Sequence, residues 1–131
     1  MDDVFREILL MRRKEIGEAV TDARKRKGWQ QQELAAMCGM DVQVLRKIEY
    51  GEKNYLYDHL QLVELALGMR GGELFDRAAA KIGGLEAGRA RYDALLAKIQ
   101  TAMQERLQSF RRENVRKRER ERRRRLAMRQ Y

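Results

Sequence analysis

A chain of 131 residues that holds no proline and is cut by glycine at intervals has few folds open to it. Proline is the residue that breaks helices from within, so long helices are permitted everywhere. Glycine does the punctuation, at Gly28, Gly39, Gly51 and Gly68, then in the pairs Gly71-Gly72 and Gly83-Gly84. Between these marks apolar residues recur three or four apart, and no stretch alternates as a half-buried strand does. The spacing predicts a helix over 4–27 with a break near Arg13, short helices over 31–37, 42–49, 58–67 and 73–82, and a long one over 89–125. Asp41 and Asp58 stand where N-caps belong, because a carboxylate there accepts an otherwise unpaired backbone N–H. The expected fold class is all-α, with a five-helix body over 1–83 (core 14–79) and an extended helical, Arg-rich extension over 84–131.

Charge separates the two parts. Residues 1–83 carry 14 lysines and arginines against 14 acids, whereas residues 111–131 carry 11 against Glu113, Glu119 and Glu121, out of a total of +9. A neutral body with a cationic tail points to a polyanionic partner for the tail. The tail cations expected to meet nucleic acid are Arg111, Arg112, Arg116, Lys117, Arg118, Arg120, Arg122, Arg123, Arg124 and Arg125. Glu113–Lys117, Glu119–Arg123 and Glu121–Arg125 each place Glu four residues before a cation, the favourable helical orientation. Ahead of them, Tyr92, Leu95, Leu96, Ile99, Met103, Leu107 and Phe110 form a stripe that either seams a dimer or packs back on the body.

Several classes drop out. No apolar stretch approaches bilayer length. A single cysteine makes no internal disulfide and suits a reducing cytoplasm. Lone Cys38 and lone His59 make no zinc cluster. No carboxylate pair, Ser-His-Asp set or phosphate-cradling glycine loop is present, so neither an enzyme nor a cofactor is expected. Trp29, Met37, Cys38 and Met40 read as packing residues, and His59 as a surface or helix-cap residue.

The informative stretch is "QQQELAAMCGMDVQVLRKIEYG". Two short helices that cross steeply need a small residue at the crossing, a turn residue tolerant of unusual φ, and apolar anchors. Ala35 supplies the first and Gly39 the second, since glycine has no Cβ penalty in a left-handed turn. Leu34, Met40, Leu45 and Ile48 are the anchors. Asp41 then starts a second helix with Val42, Gln43, Arg46 and Lys47 on its outer face; Val44 reads as core. This is a helix-turn-helix, with the second helix offered to a major groove.

From "IGEAVTDARKRKGWQQQELAAMCGMDVQVLRKIEYG" to "LVELALGM", residues 16–69, the sequence resembles the phage repressor and Cro-like (XRE-type) helix-turn-helix family. Ile-Gly, the Arg near the end of the first helix, Gly-aromatic, Gln-x-Glu-Leu-Ala, the turn glycine, apolar-Glu-x-Gly and Ala-Leu-Gly all fall in register. The resemblance implies a five-helix repressor-like domain, a structural pair between Arg24 and Glu49, and phosphate contact by Gln31. It also implies base contact by Val42, Gln43 and Lys47. The chemistry agrees: Gln bonds adenine bidentately, an apolar side chain rests on a thymine methyl, and Arg46 or Lys47 suits guanine or phosphate. Lys27 and Lys53 are further phosphate candidates. Two departures stand out: "GEKNYLYD" lacks the loop proline, and the reading helix carries Val42 and Val44 where polar residues are usual.

These features predict a sequence-specific, cytoplasmic transcriptional regulator, a repressor or autoregulator, that binds double-stranded DNA as a homodimer. The alternative is a structural or antitoxin-like adaptor whose basic helix holds RNA or an acidic protein.

Overall fold

The computed structural model describes residues 3–52, 55–82 and 86–129, with residues 82, 86 and 87 described by backbone alone. Six helices follow in order: α1 Asp3–Arg26, α2 Gln31–Cys38, α3 Val42–Glu49, α4 Tyr57–Ala66, α5 Glu73–Ile82 and α6 Glu86–Arg129. No strand occurs among the described residues.

Three local expectations are corrected. α1 runs unbroken through Arg13, whose Nε donates to the Gly51 carbonyl at 3.1 Å. The local sequence "MRRKE" holds neither glycine nor proline, and its side chains are good helix formers. Asp58 is not an N-cap, because α4 already begins at Tyr57. There the Nδ1 of His59 accepts the Leu56 N–H at 3.1 Å and satisfies the helix start. The i,i+4 pairs expected in the tail are absent among the described residues; Glu113 instead pairs with Arg120, seven residues on, at 2.8 Å. The body–extension boundary expected at Gly83-Gly84 falls outside the described residues.

The chain divides into two compact units, residues 1–95 and 96–131. In the first, α1 packs on α3 and α5, while α2 packs on α3 and α4. The inward positions of each helix meet in one core: Val20 of α1, Leu34 of α2, Leu45 and Ile48 of α3, Val63 of α4 and Leu74 of α5 are fully buried. Burying each such side chain stabilises the fold by roughly 1.5–3 kcal/mol. The first turns of α6 join this unit. Arg91 grips the Glu7 carboxylate at 2.6–3.0 Å, Arg12 Nε donates to the Tyr92 hydroxyl at 2.9 Å, and Leu95 is buried.

One buried carboxylate lies among these apolar groups. Glu64, 1% exposed, accepts the backbone N–H groups of Gly72 at 3.2 Å and Leu74 at 3.0 Å, and the Gln61 amide at 3.1 Å. The start of a helix presents unpaired N–H donors and a partial positive charge, so an anion there is stabilised. Glu64 thereby fixes where α5 begins. The second unit is α6 alone from Leu96, close to 50 Å of helix at ~1.5 Å per residue. Its apolar residues Met103, Leu107 and Phe110 are exposed.

Candidate nucleic-acid interface

The geometry of the α2–α3 corner is set residue by residue. Glu33 reaches back to accept the Gln30 N–H at 3.0 Å, which closes the start of α2. At its other end Gly39 adopts φ 64°, a left-handed conformation that side chains with a Cβ resist. Its N–H bonds the Ala36 carbonyl at 3.1 Å and the Met40 N–H bonds the Ala35 carbonyl at 3.0 Å, so the last carbonyls of α2 are satisfied. Two residues on, the Asp41 carboxylate accepts the Gln43 N–H at 2.7 Å and starts α3.

α3 has two unlike faces. Leu45, Ile48 and Glu49 are buried, whereas Gln43 and Lys47 are exposed. Arg46 is half-buried. Val42 and Val44 are also half-buried and pack against the core cluster, so the face fully open to a partner narrows to Gln43 and Lys47.

The depth of α3 is fixed from α1. Gly17 passes so close that a Cβ there would lie 2.3 Å from the Glu49 carbonyl oxygen and 2.5 Å from that of Ile48. Glycine at 17 therefore sets the separation of the two helices. Beside it lies a buried polar network. Arg24 Nε and Nη2 hold the two oxygens of Glu49 at 2.8 and 2.9 Å, and its Nη1 bonds the Trp29 carbonyl at 2.8 Å. Thr21 Oγ1 donates to Glu49 at 2.9 Å, and Gln31 Nε2 donates to it at 3.1 Å. Burial pushes the Glu49 carboxyl up, but the bonds from Arg24, Gln31 and Thr21 together hold it below the usual carboxylate range. The same bond to Glu49 raises Arg24. Both partners are therefore charged at neutral pH, and α1, α2 and α3 are tied at one point.

Gln31 has a more specific place than its sequence position suggested. Its carboxamide links Glu49 to Arg46, whose Nε donates to the Gln31 oxygen at 3.3 Å. One amide hydrogen of Gln31 and the Nη groups of Arg46 have no hydrogen-bond partner among the described residues. Lys27 is exposed, with its ammonium 5.9 Å from the centre of the Trp29 ring, and Trp29 covers the core edge. Lys53 lies outside the described residues. The ten tail cations between Arg111 and Arg125 are all exposed on α6.

Thr21 and Gly17 were not legible as members of this region. Thr21 sits three residues before Arg24, hence on the same helix face, but many threonines sit so. Gly17 looked like part of a motif, not a spacer against a backbone.

Residues 20–74 match a family model described as Helix-turn-helix. No curated protein matches the chain. Among solved structures, similarity extends to the clp gene regulator ClgR from C. glutamicum, 29% identical over 53% of this chain and 88% of that one, with a TM-score of 0.49. It extends also to the restriction-modification controller protein C.Esp1396I, as wild type and as a point mutant. Each is 21% identical over 54% of this chain and 93% or 90% of its own, with a TM-score of 0.50. At that identity the controller protein shares the fold. The match over residues 20–74, the left-handed turn at Gly39 and the capped α3 agree with the resemblance of this region to the phage repressor and Cro-like (XRE-type) helix-turn-helix family.

Proposed function

We propose that this chain is a transcriptional regulator, acting as a repressor or autoregulator, that lays α3 in the major groove of duplex DNA. Gln43 and Lys47 reach base edges there, and Arg46 reaches guanine or phosphate with its Nη groups. Gln31, with its remaining amide hydrogen, and Lys27 contact the flanking backbone. Val42 meets a thymine methyl only with its outer half. The observation that carries this reading is the two-faced α3: an exposed Gln43–Lys47 edge backed by fully buried Leu45 and Ile48. A homodimer would span half-sites ~34–36 Å apart.

Selection from a random duplex pool tests the reading, with a palindromic consensus expected. Gln43→Ala should then weaken binding to the selected duplex by ~1–3 kcal/mol and relax one base position. Equal weakening on random duplex would reject Gln43 as a reader.

A second reading, an adaptor whose basic helix holds RNA or an acidic protein, is favoured by the neutral body and the inward-leaning valines. Competition between duplex DNA and structured RNA separates the two.

A further inference from the structure

The cations of α6 are not equivalent once they are set on a helix. At 3.6 residues per turn, Arg111, Arg118, Arg122, Arg125 and Arg129 fall within about 60° of arc. The row they form runs straight along the helix for about 27 Å. Glu119 and Glu121 flank this arc and Glu113 lies across from it, so no acid interrupts the row. All five arginines are exposed, and among the described residues none has a carboxylate within ion-pair distance. The other side differs. There Arg116, Arg120 and Arg123 share a shallow cleft with Glu113 and Glu119, and Arg120 is paired to Glu113 at 2.8 Å. Those charges are partly compensated within the helix.

We propose that the Arg111–Arg118–Arg122–Arg125–Arg129 row is a docking surface for the phosphate backbone of duplex DNA; the choice of DNA rests on the α3 reading above. A duplex presents one negative charge per ~1.7 Å of axis on two strands that wind around it, so a row of unpaired guanidiniums about 27 Å long lies over phosphates of both strands. Capture of single strands needs aromatic platforms on which bases stack, and no aromatic residue lies between Phe110 and Tyr131. Arginine also suits phosphate through its planar fork of donors.

Two full-length variants test this. One changes the five row arginines to glutamine; the other changes Arg112, Arg116, Arg120, Arg123 and Arg124 to glutamine. Both lose the same formal charge, glutamine is nearly as good a helix former as arginine, and circular dichroism checks that α6 persists. Binding to a random duplex of about 30 base pairs is measured from 50 to 200 mM salt, where five phosphate contacts contribute a log–log slope near −4.5. The row variant should flatten the slope by more than about 3, and the control by less than about 2. A third variant with lysine at the five row positions should keep the slope, since counterion release follows charge.

Equal or greater flattening in the control, no flattening in the row variant, or loss of slope with lysine would overturn the assignment. So would a row variant that loses duplex RNA while keeping duplex DNA. The wild-type preference for a selected over a random duplex, which judges α3, is measured in parallel, so failure of the row and failure of the α3 reading are told apart.

Discussion

Replacing Arg24 with alanine removes the guanidinium from a carboxylate that the fold has already buried. The Glu49 side chain is 2% exposed and would keep only the bonds from Thr21 and Gln31. Stranding one member of a buried ion pair costs ~3–5 kcal/mol, because the desolvation of the remaining charge is no longer offset. Against a typical total of ~5–15 kcal/mol this is a large fraction. Taking ~4–8 °C per kcal/mol for a body of this size, the melting temperature should fall by at least ~12 °C.

The pH dependence sharpens the test. In the wild-type protein Glu49 titrates below its unfolded value of ~4.3, so its contribution is present above that pH and is lost as pH falls through the lower folded value. Without the guanidinium, burial dominates and the folded value should rise above the unfolded one. The stranded carboxylate then destabilises at neutral pH and ceases to do so on protonation. Urea unfolding at pH 7 and pH 4, followed by circular dichroism, should show a difference between the two proteins that shrinks in acid. A difference below ~1 kcal/mol at pH 7, or one that grows in acid, would refute the argument. The double variant with leucine at 24 and 49 should cost less than Arg24→Ala, since no unpaired charge is left.

Two further outcomes concern how α3 and the bundle are held. Gly17→Ala drives a Cβ into the Ile48 and Glu49 carbonyls, so α1 and α3 must separate. We expect a loss of ~1–3 kcal/mol in urea unfolding and weaker DNA binding at temperatures where the variant is still folded; unchanged affinity would show that the depth of α3 does not matter. Glu64→Gln keeps the size of the side chain but leaves one acceptor oxygen where two backbone N–H groups now bond. A loss of ~1–3 kcal/mol is expected, and an unshifted urea midpoint would mean that α5 starts without this carboxylate.

What the sequence determined by itself was local. Absence of proline and the placement of glycines predicted helices, and α3 and α5 begin and end where periodicity put them. Asp41 and Gly39 were legible because capping and left-handed turns are decided within a few residues. The XRE-type register over residues 16–69 was legible because several short motifs recur at fixed spacing. Helix ends that depend on a neighbour were not: α4 starts at Tyr57 because His59 folds back onto Leu56, an option that Asp58 concealed.

Only the tertiary structure decided the rest. It brought Thr21, Arg24, Gln31, Arg46 and Glu49, from three helices, into one hydrogen-bonded cluster, and it sank Glu64 beneath the start of α5. It also turned Val42 partly inward, leaving Gln43 and Lys47 as the open edge of α3. Periodicity states which face of a helix is apolar, but not what the facing helix offers in return. Burial, pairing and depth are properties of that second partner, and a one-dimensional pattern does not contain it.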